Sequence, residues 1–533
     1  MESLRQARLY ATVCLVVLCL LPSLHESQLL QSVRFVLAGM AVWYGLEAAY
    51  NLFIYPFYLS PLRHLPGPKD HHFLIGHVLR QFRTGNPMEP YFAWARRWPD
   101  ESFIRFTGFG NSDCLLITSL EAFKVVFQTK SYSFIKAPFN TRVIVPLAGD
   151  GVAFAEGESH KSQRKLLSPP FALSNVKRMV PIFQSKSKEL CDHLDSLIKS
   201  QDGVINVSDA YSRVTLDIVA WFTLGVDIES TLSSSVFHEA YQRMFDPPPL
   251  GAVLMAINAY FPAIRSLPLE ENRQFKSCSA KVRTILTQLI KQRMEQIAAS
   301  TSETPGNPDL LTYMIRESHE VGDPWPVNKI LENCLNFVVA GHETTAISLI
   351  WTTHMLTQHP GMQERARREV TELLERKPNP DYKDLDGLRY LENVCKESLR
   401  FYAPGLLAAR ESIHDVDVCG TFVPKGTSLY MMPVMITRNP RIWGEDVDEF
   451  NPDRWDHLTG EATDPHAFAA FLMGPRGCIG RVFAVLEMKM ILVELLSRFR
   501  FEAAVDAKDI TYVNPSPAIR PKGGLKVKVH RLK

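Results

Sequence analysis

The decapeptide FLMGPRGCIG, Phe471–Gly480, constrains this chain more tightly than any other stretch. It sets three glycines, a proline, an arginine and one cysteine in a turn-rich loop, and a long apolar helical pattern, IGRVFAVLEMKMILVELLSRF, follows at once. Glycines let a backbone turn sharply and approach a flat ligand closely. A helix N-terminus stabilises an anion, which favours a thiolate at Cys478, and Arg476 adds a cation nearby. The plain alternative is a structural cysteine buried in a turn. The chain has nine cysteines at scattered spacings, with no Cys-x-x-Cys pair, so they form neither a disulfide framework nor a zinc site. Most read as small buried hydrophobes in a reducing compartment.

The 533 residues are 46% hydrophobic, enough for a large core, and the formal net charge of +2 with no basic run argues against a nucleic-acid partner. Two apolar stretches lie at the N-terminus, 9–21 and 35–55, the second carrying Glu47 and Asn51. A cleaved signal peptide, a single anchor and a two-helix hairpin all fit them. Arg5 and Arg8 before the first stretch, and Arg63 and Lys69 after the second, favour the hairpin with both ends cytosolic, and Arg34 argues mildly against it. The expected organisation is a membrane anchor over 1–58, a proline-rich linker over 59–69 (SPLRHLPGPK begins at Ser60) and one domain over 70–533.

Within that domain, alternation predicts a hairpin over Ser102–Ser119. A mostly helical pattern runs from Glu156 to Ile297, broken by the loop FDPPPLG at Phe245–Gly251, and STSETPGNPD is polar and solvated. A helix from Pro326 to His359 would be about 50 Å long. Further helices are expected over Glu364–Arg376 and Leu385–Tyr402, then short strands over Val416–Val423 and Ser428–Met432. The fold class is mainly α with small β-sheets, a helix-rich α+β domain.

Four further motifs carry chemistry. AGHETT, Ala340–Thr345, puts Glu343 and Gly341 in the middle of an apolar helix, where an unpaired carboxylate and a glycine both cost stability. ESLR sets Glu397 and Arg400 on one helix face, and FNPDRW follows with Arg454. EGESHKSQRKLL sets His160 and Arg164 one turn apart, and PGLLAARES contains Arg410. Singly, these read as a kinked amphipathic helix, a surface ion pair, an exposed histidine and a surface arginine.

Together and in this order, with Phe471, Gly474, Arg476, Cys478 and Gly480, they resemble the cytochrome P450 superfamily, most closely microsomal, fungal-type members, over roughly Leu65–Val527. The resemblance implies heme b, iron protoporphyrin IX, between a long central helix and the cysteine loop. Cys478 would be its metal ligand, and thiolate ligation favours O–O cleavage. It implies an oxygen-activating pair, Glu343 and Thr344, with room for dioxygen at Gly341. Glu397, Arg400 and Arg454 would form a bracing triad. Arg164, Arg410 and His160, which replaces the family's usual tryptophan, would contact the propionates, and Phe471 and Arg476 would flank the cysteine. The implied activity is a monooxygenase acting on a lipophilic small molecule, a terpenoid, meroterpenoid or polyketide of secondary metabolism, at the endoplasmic reticulum membrane with the domain cytosolic.

GFGNSD lacks the third glycine of a dinucleotide loop. Electrons would therefore come from NADPH through a separate flavoprotein reductase, docking near Lys161, Lys165, Arg481 and Lys489. Pocket walls by analogy are Ile144–Ala148, Leu250–Phe261, Val338–Ala340, Leu406–Ala408 and Pro517–Ile519, which carry no charge and suit a neutral substrate. A haem-thiolate isomerase or dehydratase and a non-catalytic haem protein are the alternatives, and neither has a use for the Glu343–Thr344 pair.

Overall fold

The computed structural model describes residues 28–200, 203–232, 236–299, 309–514 and 516–532. The hairpin forms as expected. Strand β1 (Phe103–Thr107) pairs antiparallel with β2 (Asp113–Ile117), Phe103 opposite Ile117. Its turn uses left-handed Gly110 and Asn111, φ 65° and 52°. With β3 (Phe134–Lys136), β5 (Ala408–Ser412) and β8 (Ser428–Met431) it makes a five-stranded sheet in the order β1-β2-β8-β5-β3. The parallel β2–β8 pairing joins chain segments some three hundred residues apart, and no local pattern announces it. A second sheet sets β10 (Lys526–Arg531) between β4 (Val204–Asn206) and β9 (Phe499–Ala503). The strand expected over 416–423 is instead a hairpin, β6 (Val416–Val418) and β7 (Thr421–Val423), turned at Cys419 and Gly420 with φ 54° and 77°.

The central helix spans Val327–Gln358, between Pro326 and Pro360. Most of its side chains are buried on every face, so it runs through the core rather than over it. The helix Val207–Leu224 packs along one side, and Pro138–Ala148, Arg389–Phe401 and Arg481–Arg498 pack on others. Two predicted boundaries shift for local reasons. The next helix begins at Pro360 rather than Glu364, because proline suits a first helical position, and Pro249 likewise opens the helix Pro249–Asn258 inside the expected loop. The helix expected over 385–402 divides at Gly387–Leu388 into Tyr382–Asp386, with a reciprocal Asp381–Asp384 cap, and Arg389–Phe401.

The stretch 9–21 lies outside the described residues. The stretch 35–55 falls in the helix Gln28–Ala49 and in a wider-wound continuation, Tyr50–Leu59. Among the described residues no helix is long and apolar enough to cross a membrane, which corrects the expected second span. Arg34, Glu47 and Asn51 interrupt the apolar run, and the continuation docks on the body, where Asn111 Nδ2 donates to the Leu52 carbonyl at 2.9 Å. Residues 59–69 also lie against the body: Leu62 is fully buried, Ser60 Oγ donates to Asp113 Oδ2 at 2.6 Å, and Arg105 N donates to the Pro66 carbonyl at 2.8 Å. A side chain at Gly67 would strike the Arg105 carbonyl.

Candidate active site

The cysteine loop is held by its own backbone. Cys478 N donates to the Phe471 carbonyl at 2.9 Å, and Gly477 N to the Gly474 carbonyl at 3.0 Å. Gly474 has φ 75°, and a Cβ there would sit 2.2 Å from the Phe127 carbonyl oxygen, so only glycine fits. Leu472 takes φ 53° without that freedom. Gly480 then caps the helix Arg481–Arg498. The Cys478 side chain is accessible, while protein surrounds it closely enough that burial pushes its thiol up. The Gly480 amide, Arg164 and Arg481 pull the other way without prevailing. The expected thiolate is thus not favoured by the protein alone; a coordinating metal would displace the proton.

Below the loop, the triad residues meet as an ionic knot. Glu397 and Arg400 are fully buried and joined by two hydrogen bonds, Arg400 Nε to Oε2 at 2.9 Å and Nη2 to Oε1 at 2.8 Å. Arg454 Nε approaches Glu397 Oε1 at 3.4 Å, and Trp455 Nε1 donates to Oε2 at 3.0 Å. Arg400 also donates to the carbonyls of Thr437, Val447 and Glu449. Every charge has partners, which is what lets such a network survive burial. It holds Trp455, whose ring packs on Phe468, which in turn packs on Phe471 of the loop.

Beside the loop lies a cluster of buried cations. Arg164 Nη1 donates to the Gly477 carbonyl at 2.8 Å. Arg476 pairs with Glu156, yet its Nε and Nη1 are buried with no hydrogen-bond partner. Arg410 is buried, packs over Phe127 at 4.6 Å and donates only to its own neighbour, the Ala409 carbonyl; burial and the Arg476 charge bring it down to about 10. His160 is buried against the Tyr132 hydroxyl at 3.1 Å, and burial with the surrounding cations lowers it to about 4, so it is neutral at pH 7. Sequence reasoning missed Tyr132, Lys136 and Glu156. Lys136 donates to Glu156 at 3.2 Å, and burial lowers it to about 8. Only the position of Glu156 next to the His160 helix could have flagged it.

On the central helix, Ala340 and Thr344 are exposed although the helix runs through the core, so one stripe of it faces open space. The Thr344 hydroxyl donates to the Ala340 carbonyl at 2.7 Å. Glu343 turns the other way. Its Oε1 is 3.4 Å from His342 Nε2, and no hydrogen bond joins it to Thr344. Burial raises Glu343, but the close contact with His342, with Arg520 and His238, brings it below the ordinary glutamate range. Gly341 faces the helix Val207–Leu224, where a Cβ would sit 2.4 Å from Val219 Cγ2. Its glycine therefore has a packing reason.

Of the expected docking charges, Lys161, Lys165 and Arg481 are exposed. Lys489 is buried, 3.3 Å from Glu392, and is removed from the set. Among the pocket walls, Leu406 N donates to the Pro517 carbonyl at 3.2 Å, which brings 406–408 and 517–519 together. Leu250 and Val253 face outward.

These residues suit a flat, dianionic, metal-bearing group. Several buried cations with only Glu156 between them, and unused donors on Arg476, call for two carboxylates at its rim; the accessible Cys478 sulfur offers a metal ligand; the Ala340–Thr344 stripe offers a reaction face. Fold and site together define a haem-thiolate protein. The family model of cytochrome P450 matches residues 66–529, and the chain belongs to that family. It is similar to the cytochrome P450 monooxygenase sphH of Aspergillus fumigatus, 30% identical over 92% of each chain, and to FUM15 of Gibberella moniliformis, 30% identical over 93% of this chain and 91% of that one. Cytochrome P450 72A13 of Arabidopsis thaliana is 30% identical over 74% of this chain and 76% of its own length. The protein is a cytochrome P450 monooxygenase.

Proposed function

We propose that the enzyme inserts one atom of O2 into a lipophilic secondary metabolite of terpenoid, meroterpenoid or polyketide type, with electrons from NADPH delivered by a separate flavoprotein reductase. The observation that carries this reading is the open stripe of Ala340 and Thr344 on a helix otherwise buried in the core. Heme b, when bound by Cys478, supplies the oxygen-activating and hydrogen-abstracting chemistry. Arg164, Arg410, Arg476 and neutral His160 would hold its propionates. The protein's own part is to orient substrate, exclude water and move protons. Glu343, ionised and next to His342, can take a proton and pass it on. The Thr344 hydroxyl can turn from the Ala340 carbonyl toward the open face.

The exposed Lys161, Lys165 and Arg481 support docking of an acidic reductase surface. Exposed Phe35, Val36, Val42, Trp43 and Leu46 support attachment to a membrane, which we take to be the endoplasmic reticulum with the body cytosolic. The test is reconstitution with a reductase and candidate lipophiles. Product carrying one oxygen from labelled O2, dependent on both NADPH and reductase, supports the reading. Turnover of a hydroperoxide with no electron supply overturns it.

A further inference from the structure

A cleft of about 540 Å³ opens between the helix Pro138–Ala148 and the segment that carries Asn258 and Arg265. That volume is within the usual range for small-molecule sites. Six residues of its wall carry charge or an amide: Lys136, Arg142, Asp150, Glu156, Asn258 and Arg265; apart from Thr141 the rest is apolar. Lys136 is bonded to Glu156, which also holds Arg476, so those charges answer to the active site. Arg142 Nη1 reaches across the cleft to the Ala259 carbonyl at 3.2 Å. Arg265 stacks over Phe275 at 4.1 Å, yet its Nη1 is buried without a hydrogen-bond partner. Asn258 is 3% exposed, and its Oδ1 is also buried without a partner. Two guanidinium groups thus face a wall whose one carboxylate outside the Glu156 cluster is Asp150.

A guanidinium nitrogen buried without a hydrogen-bond partner is costly unless something completes it, and the planar fork of arginine matches a carboxylate. Burial lowers the Arg265 pKa, and no acid opposes the shift. The cleft adjoins the active site, because Glu156 lines the one and pairs with Arg476 of the other. The helix Pro138–Ala148 also reaches the central helix, where Asn336 Nδ2 donates to the Ala148 carbonyl at 2.6 Å. We propose that the substrate is a lipophilic carboxylic acid, its carboxylate held in this cleft by Arg265 with Arg142 and the Asn258 amide, and its apolar chain directed along Pro138–Ala148 toward Thr344. The amide needs only a rotation to present its NH2. This replaces the neutral substrate expected from the sequence, and it rests on the monooxygenase reading.

The test uses the full-length haem-loaded protein and three probes, hexadecanoic acid, its methyl ester and hexadecanol. Binding is followed by the shift of the haem Soret band and, independently, by equilibrium dialysis of radiolabelled probe. Charge-assisted hydrogen bonds predict that the acid binds ~10–100-fold tighter than the ester or alcohol. Arg265→Gln should reduce that preference to about threefold or less, and Arg265→Lys should restore part of it, as expected of a charge contact with imperfect geometry. Equal binding of acid and ester by the wild type overturns the proposal without any variant. So does a preference that survives both Arg265→Gln and Arg142→Gln. If the protein lacks a thiolate-type carbon monoxide band, the monooxygenase reading fails, while dialysis still decides whether the cleft selects carboxylates.

Discussion

At Cys478 burial favours the thiol, and coordination to a metal would displace its proton. Cys478→Ala should therefore abolish the red-shifted carbon monoxide band; a variant that keeps the band at normal haem content would remove Cys478 as ligand. At Thr344 the hydroxyl is engaged by the Ala340 carbonyl and faces the open stripe. Thr344→Ala deletes a small group and leaves a good helix former, so haem content and substrate binding should be normal. Proton help of this type contributes ~10²–10⁴-fold. Product per NADPH should fall by about tenfold or more, and hydrogen peroxide should rise to account for the missing electrons. Unchanged coupling would make Thr344 a bystander. The polar residues of this turn stood out in AGHETT, but their directions did not. Glu343 and Thr344 are adjacent in sequence, and the 100° turn between successive helical residues sends one to His342 and the other to the open face.

Among the elements, the contact between the central helix and Val207–Leu224 depends on Gly341. Val219 is 3% exposed, β-branched and stiff, so it cannot yield to a methyl group built 2.4 Å away. Gly341→Ala gains up to ~1 kcal/mol of helix propensity but overpacks the interface at a cost of ~1–3 kcal/mol. We expect a lower melting temperature, partly restored in the double variant with Val219→Ala, and thus a non-additive pair. Additive effects would show that the two residues do not share a contact. Pattern reading located the central helix, the β1–β2 hairpin and the cysteine helix to within a residue or two, because periodicity and prolines are local signals. It could not see the division at Gly387, where a cap at Asp381 favours a separate turn, or the β2–β8 pairing.

Over the whole molecule, stability should fall in acid through buried neutral histidines. His77 and His354 are lowered by burial from 6.5 to about 4. Between those values the unfolded chain binds protons that the folded chain does not, so stability is complete above pH 6.5 and is lost as pH falls toward 4. Each histidine contributes up to about 3 kcal/mol to that loss. His354→Gln should flatten the melting-temperature profile between pH 6.5 and 4.5; an unchanged profile would mean that carboxylates dominate the loss. Topology has its own probe in the sequon Asn206-Val207-Ser208, which is exposed at Asn206. With a cytosolic body Asn206 stays unmodified, and a glycosidase-sensitive mass shift removed by Asn206→Gln would place the body in the lumen.

The sequence by itself determined the family, the cysteine loop, the central helix and the members of the ionic triad, because each is written in short-range chemistry: a glycine loop, a capped apolar period, an acid and a base one turn apart. The tertiary structure decided what those residues face. It buried Lys489 against Glu392, turned Gly341 into a packing contact with Val219, and set Arg142 and Arg265, 123 positions apart in the chain, in one cleft. Such placements depend on long-range packing, where the environment of a charge or a glycine is made by segments that no local pattern connects.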